Sequence, residues 1–211
     1  MVGMVMVQEL ARLENGARLS REEFHRLYEQ CEGLEHVELI EGVVYMPSPI
    51  KFLGHSREQA LAIEWMAGFA RFRADIEWGP PSSLLLDERN EPEPDVMMFY
   101  GRPDRFADGY FKGAPELVME IANTSVSRDL HAKKDAYERN GVLEYIVWRT
   151  AEACIDWFQL RDGRYVRREP DARGIIESEV FLGLRLDVPA MLRQDLEAVL
   201  RALAKHPGPN T

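Results

Sequence analysis

Residues 116–148 leave few folds open, because they read as strand, capped helix and strand in succession. ELVMEIA (116–122) alternates cleanly, with Leu117, Met119 and Ile121 facing one way and Val118, Glu120 and Ala122 the other. Asn123, Thr124, Ser125 and Ser127 then supply capping side chains for a helix over about 128–139. Asn140-Gly141 stops that helix with glycine at the left-handed position. EYIVW (144–148) follows as a short buried strand. With hairpins elsewhere in the chain, this unit implies an α/β fold: a mixed sheet flanked by helices.

The remaining segments fit around that unit. Ser20 caps a short helix over 20–31, with acids in its first turn. VELIEGVVYMPSP reads as a hairpin with strands near 36–40 and 43–47, turning at Glu41-Gly42 and ended by Pro47-Ser48-Pro49. Residues 55–73 form an amphipathic helix whose apolar positions are Leu61, Trp65, Phe69 and Phe72. A strand at 83–86 leads into a loop of proline-spaced acids that closes at Asp95 and opens the strand VMMFY. A polar, glycine-rich connection covers 101–114, and CIDWFQL–RDG–RYVRRE reads as a second hairpin. Pro189 opens a leucine-rich helix over 189–205, whose Met191, Leu192, Leu196, Leu200 and Leu203 read as core. The expected organisation is one domain over 20–188, preceded by an extension (1–19) and followed by the helix (189–205) and a frayed tail (206–211).

Composition removes several classes of function. The 211 residues suffice for one full core, and Cys31 and Cys154 are too few for a disulfide scaffold or a zinc cluster. No apolar run reaches the roughly 18 residues of a membrane span, so no membrane partner is expected. MVGMVMVQEL lacks the basic start and cleavage site of a signal peptide, and the expected setting is cytoplasmic. A net charge of −10 argues against passive coating of nucleic acid, but not against an acidic metal site. Phosphate-cradling glycine motifs and a serine nucleophile elbow are absent from the sequence.

The most informative spacing joins Asp95, Glu120 and Lys133. Asp95 opens one strand and Glu120 lies within the next strong one, so pairing of the two would bring their carboxylates together. Hard divalent ions such as Mg²⁺ take one or two carboxylates and fill their remaining positions with water and phosphate. Asp129, Lys133 and Tyr137 share a helix face at i, i+4 and i+8. That helix follows directly from the strand of Glu120, so an ammonium could orient or help deprotonate a water, or meet developing phosphorane charge. Plainer readings stand beside these: Asp95 as a turn residue, Glu120 as an edge-strand position facing water, and Lys133 and Lys134 as a solvated helix face.

The motifs VELIEGVVYMPSP, His55, EPEPDVMMF and APELVMEIANTSVSRDLHAKKDAYERNGVLEYIVW, in that order, resemble the Uma-type restriction endonucleases, a branch of the PD-(D/E)XK nuclease superfamily. The resemblance covers roughly residues 36–168. It implies a restriction-endonuclease-like core with acids at one end of the sheet, Asp95 and Glu120 as metal ligands, and Lys133 as a lysine displaced onto the following helix, since position 122 is Ala. It also implies that Glu38 lies near the site, as a holder of a metal-bound water or a second ion. Glu41 reads as a turn residue. The chain departs from the family pattern at Asn123-Thr124-Ser125 and at Arg149-Thr150.

The expected function is therefore Mg²⁺- or Mn²⁺-dependent hydrolysis of DNA phosphodiester bonds, leaving 5′-phosphates. A homodimer is compatible with it, since related nucleases pair to cut both strands. The alternative is a fold whose catalysis has lapsed and which serves as a metal- or partner-binding module. Among the remaining residues, His55 reads as a surface residue near a helix start, Tyr137 as packing, and Asp129 as a pairing within its helix. The five arginines at 161, 164, 167, 168 and 173 read as a solvated hairpin, or as contacts to a DNA backbone.

Overall fold

The structure, a computed structural model, describes residues 13–46 and 51–203. Its centre is a six-stranded mixed sheet. Strands β3 (Ile76–Gly79), β5 (Val96–Tyr100), β8 (Leu117–Ala122), β9 (Glu144–Arg149), β10 (Cys154–Arg161) and β11 (Arg164–Arg168) are ordered β11-β10-β9-β8-β5-β3. Only β8 and β9 run parallel, as the helix between them requires. The alternation of β8 sorts its two faces. Leu117, Met119 and Ile121 meet Leu61, Trp65, Met66 and Phe69 of helix α2 (Arg57–Ala70). Val118 and Ala122 join the other cluster, with Ala136 and Tyr137 of α4 (Lys134–Asn140).

Helix α1 (Arg21–Glu29) starts at Ser20 in a capping box: Ser20 Oγ accepts from the Glu23 amide, and the Glu23 carboxylate accepts from the Ser20 amide. Strands β1 (Glu38–Ile40) and β2 (Val43–Tyr45) pair around a two-residue turn in which Glu41 and Gly42 both take positive φ. The second strand was expected to reach residue 47; positions 47–50, with the proline cluster, lie outside the described residues. Residues 13–19 are no mere extension. Leu13 is buried with Phe24, Leu27, Val37, Leu39 and Val44, and Ala17 accepts a hydrogen bond from the Val44 amide at 2.9 Å. Residues 1–12 and 204–211 lie outside the described part, and with them the expected frayed tail.

The connection between β8 and β9 is helical from 126 to 140, but not uniformly so. Helix α3 (Val126–Arg128) passes into a π-turn over Asp129–Lys133 and then into α4. Gly141 ends α4 in the left-handed conformation, as its position after Asn140 predicts.

Several elements differ from expectation. The Leu-rich tail is two helices, α5 (Val188–Leu192) and α6 (Leu196–Ala202), not one. Gln194 takes a left-handed φ, and the Asp195 side chain accepts from the Ala198 amide, so a fresh N-cap starts the second helix. Phe72 falls beyond the end of α2 and is exposed, because the helix stops at Ala70. The glycine-rich connection holds a hairpin of β6 (Phe106–Ala107) and β7 (Tyr110–Lys112), extended by β4 (Leu84–Leu85) into a three-stranded sheet. Phe99 anchors it, with Phe106 and Phe111 at 6.1 and 4.4 Å between ring centroids. A last small hairpin pairs β12 (Ile175–Glu177) with β13 (Arg185–Asp187).

Candidate active site

The register that pairs Val96 with Met119 sets Asp95 and Glu120 side by side at one end of the sheet. Both line a pocket of about 220 Å³, room for several water molecules. Lys133 and Glu38 line the same pocket, so the structure brings all four of the expected residues together.

Asp95 is held on both oxygens. Its Oδ2 accepts from the Ile121 amide at 2.7 Å, one residue beyond Glu120, and its Oδ1 lies 3.2 Å from His55 Nε2. Gln59, on the first turn of α2, donates to the Asp95 carbonyl at 3.1 Å. His55 donates through Nδ1 to the Ile121 carbonyl, and its hydrogen bond with Asp95 raises its pKa despite partial burial. This side chain reads from sequence as a surface residue, yet it links α2's approach to both strands of the site.

Glu120 sits on an inner strand and is buried, so the edge-strand reading does not hold. Its Oε1 lies 2.7 Å from Lys133 Nζ and accepts from Tyr137 Oη at 3.0 Å. Tyr137 thus reaches into the site beyond its packing role. Among the described residues no hydrogen bond reaches Glu120 Oε2. Burial raises the Glu120 pKa well above the ordinary carboxylate range, Lys133 opposes that, and Asp95, Asp129 and Glu38 add to it.

Lys133 is buried rather than solvated, because the π-turn carries it over the sheet end. Its Nζ bridges Glu38 Oε1 and Glu120 Oε1, each at 2.7 Å. Burial alone would lower its pKa; Glu120, Glu38 and Asp129 together raise it above the ordinary lysine value, so it is an ammonium. Glu38 also accepts from the Glu93 amide at 2.9 Å and lies 3.4 Å from Arg128, whose guanidinium covers the Tyr45 ring. Asp129 accepts from Ser125 Oγ at 2.5 Å, which takes that hydroxyl away from backbone capping, while its buried Oδ1 has no partner among the described residues.

Five carboxylates line the pocket (Glu38, Glu93, Asp95, Glu120 and Asp129) against Lys51, Arg128 and Lys133. The carboxylates thus outnumber the Lys and Arg side chains five to three, with His36 set against Glu93 and His55 against Asp95. Among the described residues, no three acidic, His or Cys side chains stand together as a ready metal-holding group. Asp95 and Glu120 nevertheless give the pair of hard oxygen donors that suffices for Mg²⁺. The His36–Glu93 pair, at 2.8 Å, is not legible in the sequence: Glu93 reads there as one of the proline-spaced loop acids, and nothing marks His36 as its partner.

A family model described as "Uma2: Putative restriction endonuclease" matches residues 21–189. The chain belongs to the Uma2 family. A crystal structure of "a putative nuclease belonging to DUF820" from Anabaena variabilis is similar in fold, with a TM-score of 0.59 at 17% identity, covering 83% of this chain and 97% of that one. No curated protein matches. The family and a mixed α/β fold like that neighbour's are thereby shown, and no described helix is long and apolar enough to cross a membrane. Two departures from the Uma-type pattern meet in space: Asn123 Nδ2 and Thr150 Oγ1 both donate to the Gly54 carbonyl, at 3.3 and 2.9 Å. The five hairpin arginines, by contrast, each face an acid: Arg161 and Arg168 pair with Glu179, Arg164 with Glu138, Arg167 with Asp156, and Arg173 with Asp171.

Proposed function

We propose that the chain is an endonuclease that hydrolyses DNA phosphodiester bonds with a divalent cation, Mg²⁺ or Mn²⁺, held by Asp95 and Glu120. The observation that carries this reading is the pocket's carboxylate surplus: five carboxylates against three Lys and Arg side chains, gathered at the end of a nuclease-type sheet. Buried carboxylates are costly unless something balances them, and a dication supplies positive charge to a cluster of hard oxygen donors. When bound, such an ion polarises a phosphoryl oxygen and makes a water more acidic.

The chain's own residues divide the remaining work. Lys133 stays protonated between two carboxylates, so its part is to orient the attacking water and meet charge developing on the phosphoryl oxygens, not to take up a proton. Glu38 anchors that ammonium. Its oxygens are engaged by Lys133, Arg128 and the Glu93 amide, which favours support of the site over direct ligation. His55 and the Ile121 amide fix the Asp95 carboxylate from two sides, and Tyr137 fixes Glu120.

The test is Mn²⁺ titration by calorimetry together with a plasmid-nicking assay, on the wild type, Asp95→Ala and Glu120→Ala. Binding and nicking that vanish together in folded variants support the proposal. Cleavage that survives in both variants overturns it, and binding without cleavage of any DNA tried returns a metal-holding module.

A further inference from the structure

Beside the pocket, two large apolar side chains are presented to solvent by a backbone that is firmly tied down. Phe52 is 70% exposed and its neighbour Leu53 is 62% exposed, while Lys51 and His55 on either side of them line the pocket. The segment is a kinked turn, with Leu53 extended and Gly54 at φ 89°. Gly54 is fixed at both its polar groups. Its amide donates to Glu58 Oε2 at 2.9 Å, and its carbonyl accepts from Asn123 and Thr150. Its φ of 89° favours glycine, and a Cβ there would stand 2.3 Å from Asn123 Nδ2 and displace that amide. The Ser56 amide closes the turn onto the Lys51 carbonyl at 3.3 Å.

A clamped backbone that holds apolar groups outward needs an occupant, and the local charge selects which kind. Residues 51–57 carry Lys51, His55 and Arg57 and no acid, in a chain of net charge −10; His55 is turned inward onto Asp95, and Arg57, half exposed, lies 3.7 Å from Glu58. Cations flanking an apolar pair match a polyanion that also offers flat apolar faces, which describes a nucleic-acid strand whose bases are unstacked.

We infer that Phe52 and Leu53 form a platform for an unstacked base of the DNA strand next to the scissile phosphate, with Lys51 and Arg57 meeting the flanking phosphates. The inference rests on the nuclease reading and deepens it: the substrate class is single-stranded or locally opened DNA in preference to a fully paired duplex. Stacking one base on an aromatic side chain is strong enough that its removal weakens binding by roughly 5- to 100-fold.

The experiment measures binding in Ca²⁺ of a single strand carrying 2-aminopurine, of the same strand fully paired, and of the same duplex with a mismatch. The proteins are wild type, Phe52→Trp and the double variant Phe52→Ala/Leu53→Ala, with Mn²⁺ calorimetry on each as a control for an intact pocket. Expected are tighter binding of the single-stranded and mismatched probes, quenching of 2-aminopurine on binding, retention of both in Phe52→Trp, and loss of the preference in the double variant. Wild-type protein that cuts DNA while the double variant binds all three probes unchanged overturns this inference and leaves the nuclease reading standing. A wild type that binds Mn²⁺ but none of the probes, or binds neither, overturns both.

Discussion

The pocket at the end of β5 and β8 and the β10–β11 hairpin are both dense in charge, and they handle it in opposite ways. In the hairpin and the turn after it each arginine meets a carboxylate: Arg161 and Arg168 share Glu179, Arg164 meets Glu138, Arg173 meets Asp171, and Arg167 meets the buried Asp156. Arg161, Arg164 and Arg173 keep more than half of their side chains exposed. In the pocket the carboxylates outnumber their partners, and Lys133, Glu38 and Glu120 are all buried. Exposed pairs contribute little because solvent screens them and ordering long side chains costs entropy. A buried imbalance is costly, and a fold retains it where something must be held. A count of charges along the chain does not separate the two regions; the burial and compensation of those charges do.

The comparison breaks first at Lys133. Lys133→Met leaves Glu38 and Glu120 buried beside one another without their shared cation, and should destabilise the fold by about 3–5 kcal/mol. Urea unfolding measures it, and a loss below about 1 kcal/mol would show that the pocket's charges are screened like those of the hairpin. Added Mn²⁺ should restore part of the lost stability, since a dication stabilises whichever state binds it. Tyr137→Phe comes next. It removes one hydrogen bond to Glu120 and should cost about 1.5–3 kcal/mol, the range for hydrogen bonds to charged groups. An unchanged unfolding midpoint would return Tyr137 to a packing role.

The sequence carried the architecture of the centre because β8 alternates strictly and its helix is bounded by Ser125 and Gly141. Asp95, Glu120 and Lys133 were legible by strand position and helix spacing, with Glu38 added by the family motif alone. Their surroundings were not. His55 joins the site through a kink at Gly54, and Lys133 through a π-turn, and neither backbone irregularity has a hydrophobic period to announce it. The β6–β7 hairpin hid in a glycine-rich stretch because its stability comes from long-range aromatic contacts with Phe99. The break in the C-terminal helix turns on the single cap Asp195, outweighed in the pattern by the leucines around it.

Glu144 sharpens the comparison from a third place. It is fully buried, and among the described residues no cation is bonded to it; Ser178 Oγ and the Glu179 amide donate to its oxygens at 2.6 and 2.8 Å, with Arg168 near enough to act through its charge. Burial raises its pKa in the folded state above the ordinary 4.5, although those hydrogen bonds oppose the shift. The folded state therefore binds the proton more tightly than the unfolded state does. Its contribution to stability is greatest below 4.5 and is lost as pH rises from there through the raised folded value. Glu144→Gln is fixed in the neutral form, so its stability relative to wild type should improve between roughly pH 4 and roughly pH 7. Thermal melts at both pH values decide it; parallel shifts in the two proteins would mean that Glu144 ionises freely within the fold.

The smallest effects belong to the hairpin, and they carry the most information about substrate. Arg161→Ala, Arg164→Ala and Arg173→Ala should each change stability by less than about 1 kcal/mol, because each removes one screened surface pair. The sharper readout is the salt dependence of DNA binding. Each phosphate that a cation neutralises adds roughly 0.9 to the slope of log affinity against log salt for duplex DNA, or roughly 0.7 for a single strand. Arginines already satisfied by Glu179, Glu138 and Asp171 should leave that slope unchanged when removed, whereas Lys51→Ala should lower it by nearly one unit and Arg57→Ala, whose guanidinium is 3.7 Å from Glu58, by less. The reverse pattern would move the DNA to the hairpin. It would require Glu138 and Glu179 to release their arginines on binding.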